Sequence, residues 1–302
     1  MERLAVMYRA LDQPDKAVAI YRDIADMDSA KGARISAEII EAYRTGKKFP
    51  EAQKEADLAI KRYADDRGVR AAKASLDADM GRVEVAATDV KRLLDGTDDR
   101  GVQLMLAEIY EKGKKFTEAR QALDSAEKLS QAEDEKVGVW FMRGALYEKM
   151  KNLPLAEAEF RKVLGVIPDH AATLNYLGYM LTDRNVRLNE GLDLIKKALE
   201  KEPNNGAYLD SLGWAYYRLG RFPEAETAIG RAVELSPGDP TMTDHYAESL
   251  VQQKKYPEAV AAWEQALKLW NASAPADKDD AEISKVRTKL DQAKARLPRV
   301  GR

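Results

Sequence analysis

Apolar residues recur at helical spacing along most of this chain. In the stretch LDSLGWAYYRLGRFPEAETAIGRAVELSP, Leu209, Leu212, Gly213 and Tyr216 fall at i, i+3, i+4 and i+7. That spacing places them on one face of a helix. Leu219-Gly220-Arg221-Phe222-Pro223 reads as a turn. Ala225, Ile229 and Ala232 then make the facing stripe of a second helix, and Pro237 closes the unit. The stretch LNYLGYMLTDRNVRLNEGLDLIKKALEKEP has the same layout. There Leu174, Leu177, Gly178 and Leu181 face Gly191, Ile195 and Ala198, with Pro203 at the end. Gly191, Ala225 and Ala259 follow one another at intervals of 34 residues, and Trp263 and Ala266 complete the third second-helix stripe.

A fixed interval of this length marks stacked supersecondary units. Gly213 and Ala232 are small because two helices must approach closely at their level, while Tyr216 and Ile229 fill the space beside them. No single hairpin can bury its apolar face, so the units must stack. Carried upstream, the Ala225 position becomes Ala17, Ala52, Ala86, Ala119, Ala156 and Gly191, at steps of 35, 34, 33, 37 and 35. The last two steps imply short insertions, at LSQAEDEKV and DRNVRLNEG. The third unit departs from the pattern, with Lys73 and Asp77 where apolar residues are expected.

This pattern resembles the tetratricopeptide repeat. The resemblance implies an all-α fold, a right-handed α-solenoid of about eight helix–turn–helix units over residues 1–271. The polar segment 272–282 (ASAPADKDDAE) reads as a linker. Over residues 283–297, Ile283, Val286, Leu290, Ala293 and Leu297 form one stripe. They predict a capping helix over the last hairpin, a partner-binding amphipathic helix being the alternative.

Composition narrows the function. The chain has 302 residues, 45% hydrophobic and 33% charged, which suits a folded protein. Acids and bases number 51 and 49, so there is no basic excess of the kind nucleic-acid binders carry. Cysteine is absent, which excludes disulfides and thiolate metal sites. No apolar run approaches the roughly 20 residues of a membrane helix. The two histidines, His170 and His245, lie in different repeats, and His170 is expected in a solvated loop. Metal coordination usually needs more donors than this. Phosphate loops, nucleophile elbows and zincin motifs are missing. The sequence therefore predicts no catalytic residue, metal or cofactor. Asp98-Asp99 and Asp279-Asp280 read as solvated loops or helix starts.

In tetratricopeptide stacks, the resemblance implies, first helices line a concave groove. The stripe left after the core positions are assigned is then the candidate binding face. It comprises Phe141, then Asn175 and Tyr179 with Tyr176 at the edge. Asp210, Trp214 and Tyr217 follow with Arg218 beside them, and last come Asp244 and Glu248 with His245 adjacent. Trp214 is either an interface anchor or a brace against the next first helix. Acids outnumber bases on this stripe, so the expected partner is a protein or peptide segment that is basic and apolar. The reading is a non-enzymatic protein-binding scaffold or adaptor. The alternative is a structural module that self-associates through its stack ends or convex face. Residues Leu174–Ala247 further resemble bacterial tetratricopeptide proteins that are often exported or lipid-anchored. That resemblance implies a cell-envelope location, with cytoplasm as the alternative.

Overall fold

Polar signals break the apolar rhythm at regular places, and each break becomes a helix boundary. The computed structural model describes residues 1–94 and 99–297. Among them are 17 α-helices, one 3-10 turn and no strand. The hairpins, in chain order, begin with α1 (Glu2–Ala10) and α2 (Pro14–Met27), then α3 (Gly32–Thr45) and α4 (Phe49–Arg62). Next come α5 (Arg67–Asp79) with α6 (Val83–Lys91), and α7 (Arg100–Lys112) with α8 (Phe116–Leu129). They continue with α9 (Glu133–Lys149) and α10 (Leu153–Val166), then α11 (Ala171–Asp183) and α12 (Leu188–Lys201). The last are α13 (Gly206–Arg218) with α14 (Phe222–Leu235), and α15 (Pro240–Gln252) with α16 (Tyr256–Ala272), followed by α17 (Asp280–Lys294).

The chain divides into two compact units. One contains Met1–Gln131 together with Ala274–Asp277; the other contains Ala132–Ser273 and the segment from Lys278 onward. In the first unit, α1 to α8 stack as successive antiparallel hairpins, and the Ala276 N–H donates to the Asp79 carbonyl at 3.1 Å. In the second, α9 to α16 do the same and α17 packs on α16.

Most first helices start on a side-chain cap, from Asp66, Asp99, His170, Asn205 or Asp239. Such a cap satisfies an amide that the helix itself leaves unpaired. His170 is therefore a helix cap rather than a solvated loop residue: its Nδ1 accepts from the Thr173 N–H at 3.3 Å, and its ring lies 5.8 Å from Phe141. Asp99 and Asp279 cap α7 and α17, and Asp98 lies outside the described residues. Between the two helices of each hairpin at least one residue is left-handed: Asp12, Lys47, Gly81, Lys114, Lys151, Asn185 with Arg187, Gly220 and Lys254. Only two of these are glycine, so the turn imposes on the others a conformation that costs about 1–2 kcal/mol.

The expected insertions have visible destinations. LSQAEDEKV is absorbed by α9, which runs to 17 residues against 13 for α11 and α13. DRNVRLNEG widens the turn before α12, where both Asn185 and Arg187 are left-handed. The alanine series holds throughout: Ala17, Ala52, Ala86, Ala119, Ala156, Ala225 and Ala259 are at most 1% exposed, and Gly191 is buried with them. The third hairpin forms despite its polar residues. Val69, Ala72 and Leu76 carry its core, while buried Asp77 pairs with Lys73 at 2.6 Å and with Arg82. A charge buried at this depth requires such partners. In α17, Ile283, Val286, Leu290 and Ala293 are buried; the last three pack with Trp263 and Leu250 in one cluster, and Leu297 falls beyond the helix end.

Candidate functional site

The second unit sets α11, α13 and α15 side by side, and α13 is bounded on four sides by α11, α12, α14 and α15. Leu212 and Tyr216 turn toward Leu192 and Ile195 of α12. Gly213 lies against Ile229 of α14. The remaining stripe is not free surface, because the neighbouring first helices close over much of it. Asn175, Asp210, Trp214, Asp244 and His245 are all at least nine-tenths buried. The reason is geometric: an interior first helix packs on preceding and following hairpins as well as its own partner, whereas the sequence stripe accounts for only two of these contacts.

Trp214 stands at the centre of this packing. Its ring stacks on Tyr217 at 4.7 Å and on His245 at 4.2 Å, and its Nε1–H donates to Asp183 Oδ1 at 3.1 Å. These contacts tie three successive first helices together, which is the geometry of a brace. Below it, His245 Nδ1 lies 3.0 Å from Asp210 Oδ2. Burial alone would depress the imidazole, but the Asp210 carboxylate, supported by Asp244 and Glu248, raises it from 6.5 to about 9.

That shift predicts a pH dependence. A folded-state pKa above the unfolded one contributes stability that is complete below about pH 6.5 and is lost as pH rises through about 9. Denaturant unfolding is expected to show a loss on the order of 2 kcal/mol between about pH 6 and pH 9.5. His245→Gln should abolish most of that difference; a variant with the wild-type pH profile would place the titrating group elsewhere.

The acids expected to make this face negative are largely met inside the fold. Asp210 has His245; Asp244 accepts from Trp263 Nε1 at 2.6 Å and from Lys289 at 2.8 Å; and Lys289 also pairs with Glu248. Lys289 was missed because it lies on α17, outside the repeat interval that links the other groups.

The open part of the face is smaller and more aromatic than the sequence stripe. Phe141 is half-buried and meets Tyr176 edge-on at 5.2 Å, and Tyr176 is 43% exposed. Burial, with the carboxylates of Asp183, Asp210 and Glu148 nearby, pushes the Tyr179 hydroxyl well above its usual range, so it stays protonated. Burial likewise holds Glu148 above the usual carboxylate range, partly offset by Arg184. The Tyr217 hydroxyl accepts from Gln252 Nε2 at 3.1 Å. Arg218 is half-buried and has no ion-pair partner among the described residues. Asn175, Tyr176, Tyr179, Asp210 and His245 line one cleft of about 340 Å³, with Met242 on its far wall. Tyr217 and Glu248 instead line a second cavity of about 210 Å³, with Lys289 and Arg296. Thus the eleven candidate residues divide: five share the larger cleft and two the smaller, Phe141, Trp214 and Asp244 serve as packing beneath or beside them, and Arg218 stands apart. The cleft walls at Ala207, Asp239 and Thr241 were not legible in sequence, since they sit near helix starts where the apolar period carries no information, and Ser211 lies mid-helix beside the core stripe.

In the first unit the corresponding helices carry ion pairs. Arg44 bonds Glu41 at 2.7 Å and Asp79 at 2.5 Å, Lys112 pairs with Asp79, and burial pushes Glu108 up. No helix among the described residues is long and apolar enough to cross a membrane.

Comparison with known proteins adds the following. The sequence pattern described as tetratricopeptide repeat matches residues 99–275. A TPR repeat-containing protein of Pseudomonas aeruginosa, PA4667, is 34% identical over 175 residues, covering 56% of this chain and 28% of that protein. The chain thus spans less than a third of that relative's length. Among solved structures, a tetratricopeptide repeat protein from Parabacteroides merdae aligns with a TM-score of 0.63 at 13% identity, covering 87% of this chain and 99% of the other. Yeast Tom70 aligns with a TM-score of 0.66 at 17% identity, covering 94% of this chain and 59% of that one.

Proposed function

The chain belongs to the tetratricopeptide-repeat family, and from that premise we propose that it is a non-catalytic scaffold whose second unit holds a segment of a partner protein. The observation that carries this reading is the 340 Å³ cleft between first helices, with Tyr176 exposed at its rim and Tyr179 inside it. Amphipathic aromatic side chains of this kind are common interface anchors. The relevant residues sit on rigid helices already fixed by Trp214 and the Asp210–His245 pair, so binding does not have to order them.

The test is selection from a phage-displayed library of random heptapeptides. Peptides retained by the wild type should lose about tenfold or more in affinity on Tyr176→Ser. The change gives up the ring contacts with Phe141 and Phe160, so it should cost about 1–2 kcal/mol of stability while leaving the fold intact. Retention unaffected by Tyr176→Ser would remove this cleft as the binding surface. A cell-envelope location is part of the same reading, on the resemblance of residues 174–247 to exported bacterial relatives.

One observation favours self-association as a second reading. On α1, Leu4 and Met7 are 46% and 59% exposed and share one helix face, and the C-cap Leu11 is 61% exposed. Their counterparts on α3, Ile39 and Ala42, are buried with α2 residues. Light scattering on the wild type and on Leu4→Lys separates the readings, because a dimer through this face should dissociate in the variant.

A further inference from the structure

The larger cleft has a chemical bias beyond its shape. Asn175 is 6% exposed and lines it, yet its Oδ1 accepts no hydrogen bond among the described residues. An acceptor left orphaned at that depth costs roughly 1–3 kcal/mol, which a donor from outside would recover. The charged groups on the wall are Asp210, Asp239 and His245. His245 is committed to Asp210 through both carboxylate oxygens, at 3.0 and 3.1 Å. Asp239 lies at the start of α15, where its Oδ1 accepts from the Thr241 and Met242 amides. The wall therefore carries a net negative charge. Asp183 and Glu148 stand just beyond Tyr179 and add to the field there, with Arg184 opposing them in part. Ser211 Oγ donates inward to the Ala207 carbonyl at 3.0 Å, so its proton is already used. Around these acceptors lie the Tyr176 ring at the mouth and Met242 within.

We propose that this cleft receives the guanidinium of an arginine on an extended segment of the partner, a proposal that rests on reading the cleft as the binding surface. A guanidinium offers five donors in a planar fork and can serve separate acceptors such as Asn175 Oδ1 and the free lone pairs of Asp210 at once. It stacks on an aromatic face such as Tyr176 and is more weakly hydrated than an ammonium, which suits a half-enclosed site. The Asp210–His245 pair matters here because it holds the carboxylate in place without cancelling its remaining acceptor capacity.

The experiment uses the heptapeptide selection against the whole chain. Arginine should be enriched among the retained peptides. In the tightest peptide, replacing that arginine by citrulline, which keeps the shape and loses the charge, should weaken binding about tenfold or more by fluorescence anisotropy. Asn175→Leu should cause a comparable loss. Since it removes an orphaned acceptor, it should leave the unfolding midpoint unchanged or raised. Should Asn175→Leu prove unstable, Ala207→Lys, at an exposed lining position, places a positive charge in the cleft and should abolish binding of the arginine peptide. Peptides that depend on Tyr176 but lack arginine, or that bind Asn175→Leu at wild-type strength, would overturn the arginine assignment and leave the groove reading intact. Equal affinity with lysine in place of arginine would overturn the guanidinium assignment in the same way. Retention that ignores Tyr176→Ser would remove both.

Discussion

Trp214→Ala is expected to lower the stability of the second unit by about 3–5 kcal/mol, the range for removing a large buried aromatic. The indole is 7% exposed and has three partners on three different helices. Its loss opens a cavity between Tyr217 and His245, removes the donor to Asp183, and exposes one face of the imidazole that pairs with Asp210. Each of these has its own cost, and none can be recovered by a small shift, because the neighbouring helices are held by their own hairpins. In a stacked array the loss should spread to the adjoining hairpins through their shared interfaces. Peptide binding should weaken as well, as a consequence of the unfolding. Denaturant melting followed by circular dichroism gives the first quantity and anisotropy the second. A variant with the wild-type midpoint and no peptide affinity would make Trp214 an anchor and remove its role as a brace.

The same residue shows how far the sequence reached. Repeat phase was legible because one small residue per hairpin must sit at a close helix crossing, and each such position, from Ala17 to Ala259, is buried. Turns were legible where a stretch such as Leu219-Gly220-Arg221-Phe222-Pro223 places glycine, a charge and proline at the point where the helix must break. The binding face was less legible. A helical stripe specifies a direction, but not how many neighbours lie along it, so Asp210, Trp214 and Asp244 were assigned to a groove that the adjacent first helices partly close. The charge balance was only partly legible, for a related reason. Asp210, Asp244 and Glu248 look like unmatched acids in sequence, yet His245 and Lys289 meet them in space. Lys289 comes from α17, whose apolar stripe announces a packed helix and says nothing about which flanking lysine turns toward α15.

Gly213→Leu is expected to destabilise the same unit by about 3 kcal/mol, at the upper end of ordinary overpacking costs. A Cβ at Gly213 would overlap Ile229 Cγ1, and it would also lie 3.0 Å from both the Ala225 carbonyl oxygen and the Ile229 amide nitrogen. The side-chain overlap could be relieved by a rotamer change, but contact with main-chain atoms can be relieved only by moving α13 away from α14. Gly178 repeats the arrangement one hairpin earlier, with the Gly191 carbonyl oxygen 2.7 Å from the Cβ position. At Gly144 the three nearest atoms all belong to the Phe160 ring and none to the main chain, so Gly144→Ala should cost less than Gly178→Ala. Gly230 provides the control. It lies within α14, and its nearest neighbour would be Tyr246 Cε2 at 3.4 Å, an ordinary contact. Gly230→Ala should therefore stabilise the protein by about 0.5–1 kcal/mol, because a helix interior favours alanine over glycine. A glycine substitution thus changes sign with its distance from the neighbouring backbone. If the midpoints of Gly213→Leu and Gly230→Ala moved together, helix propensity rather than close approach would govern these sites, and the crossing of α13 and α14 would need a different account.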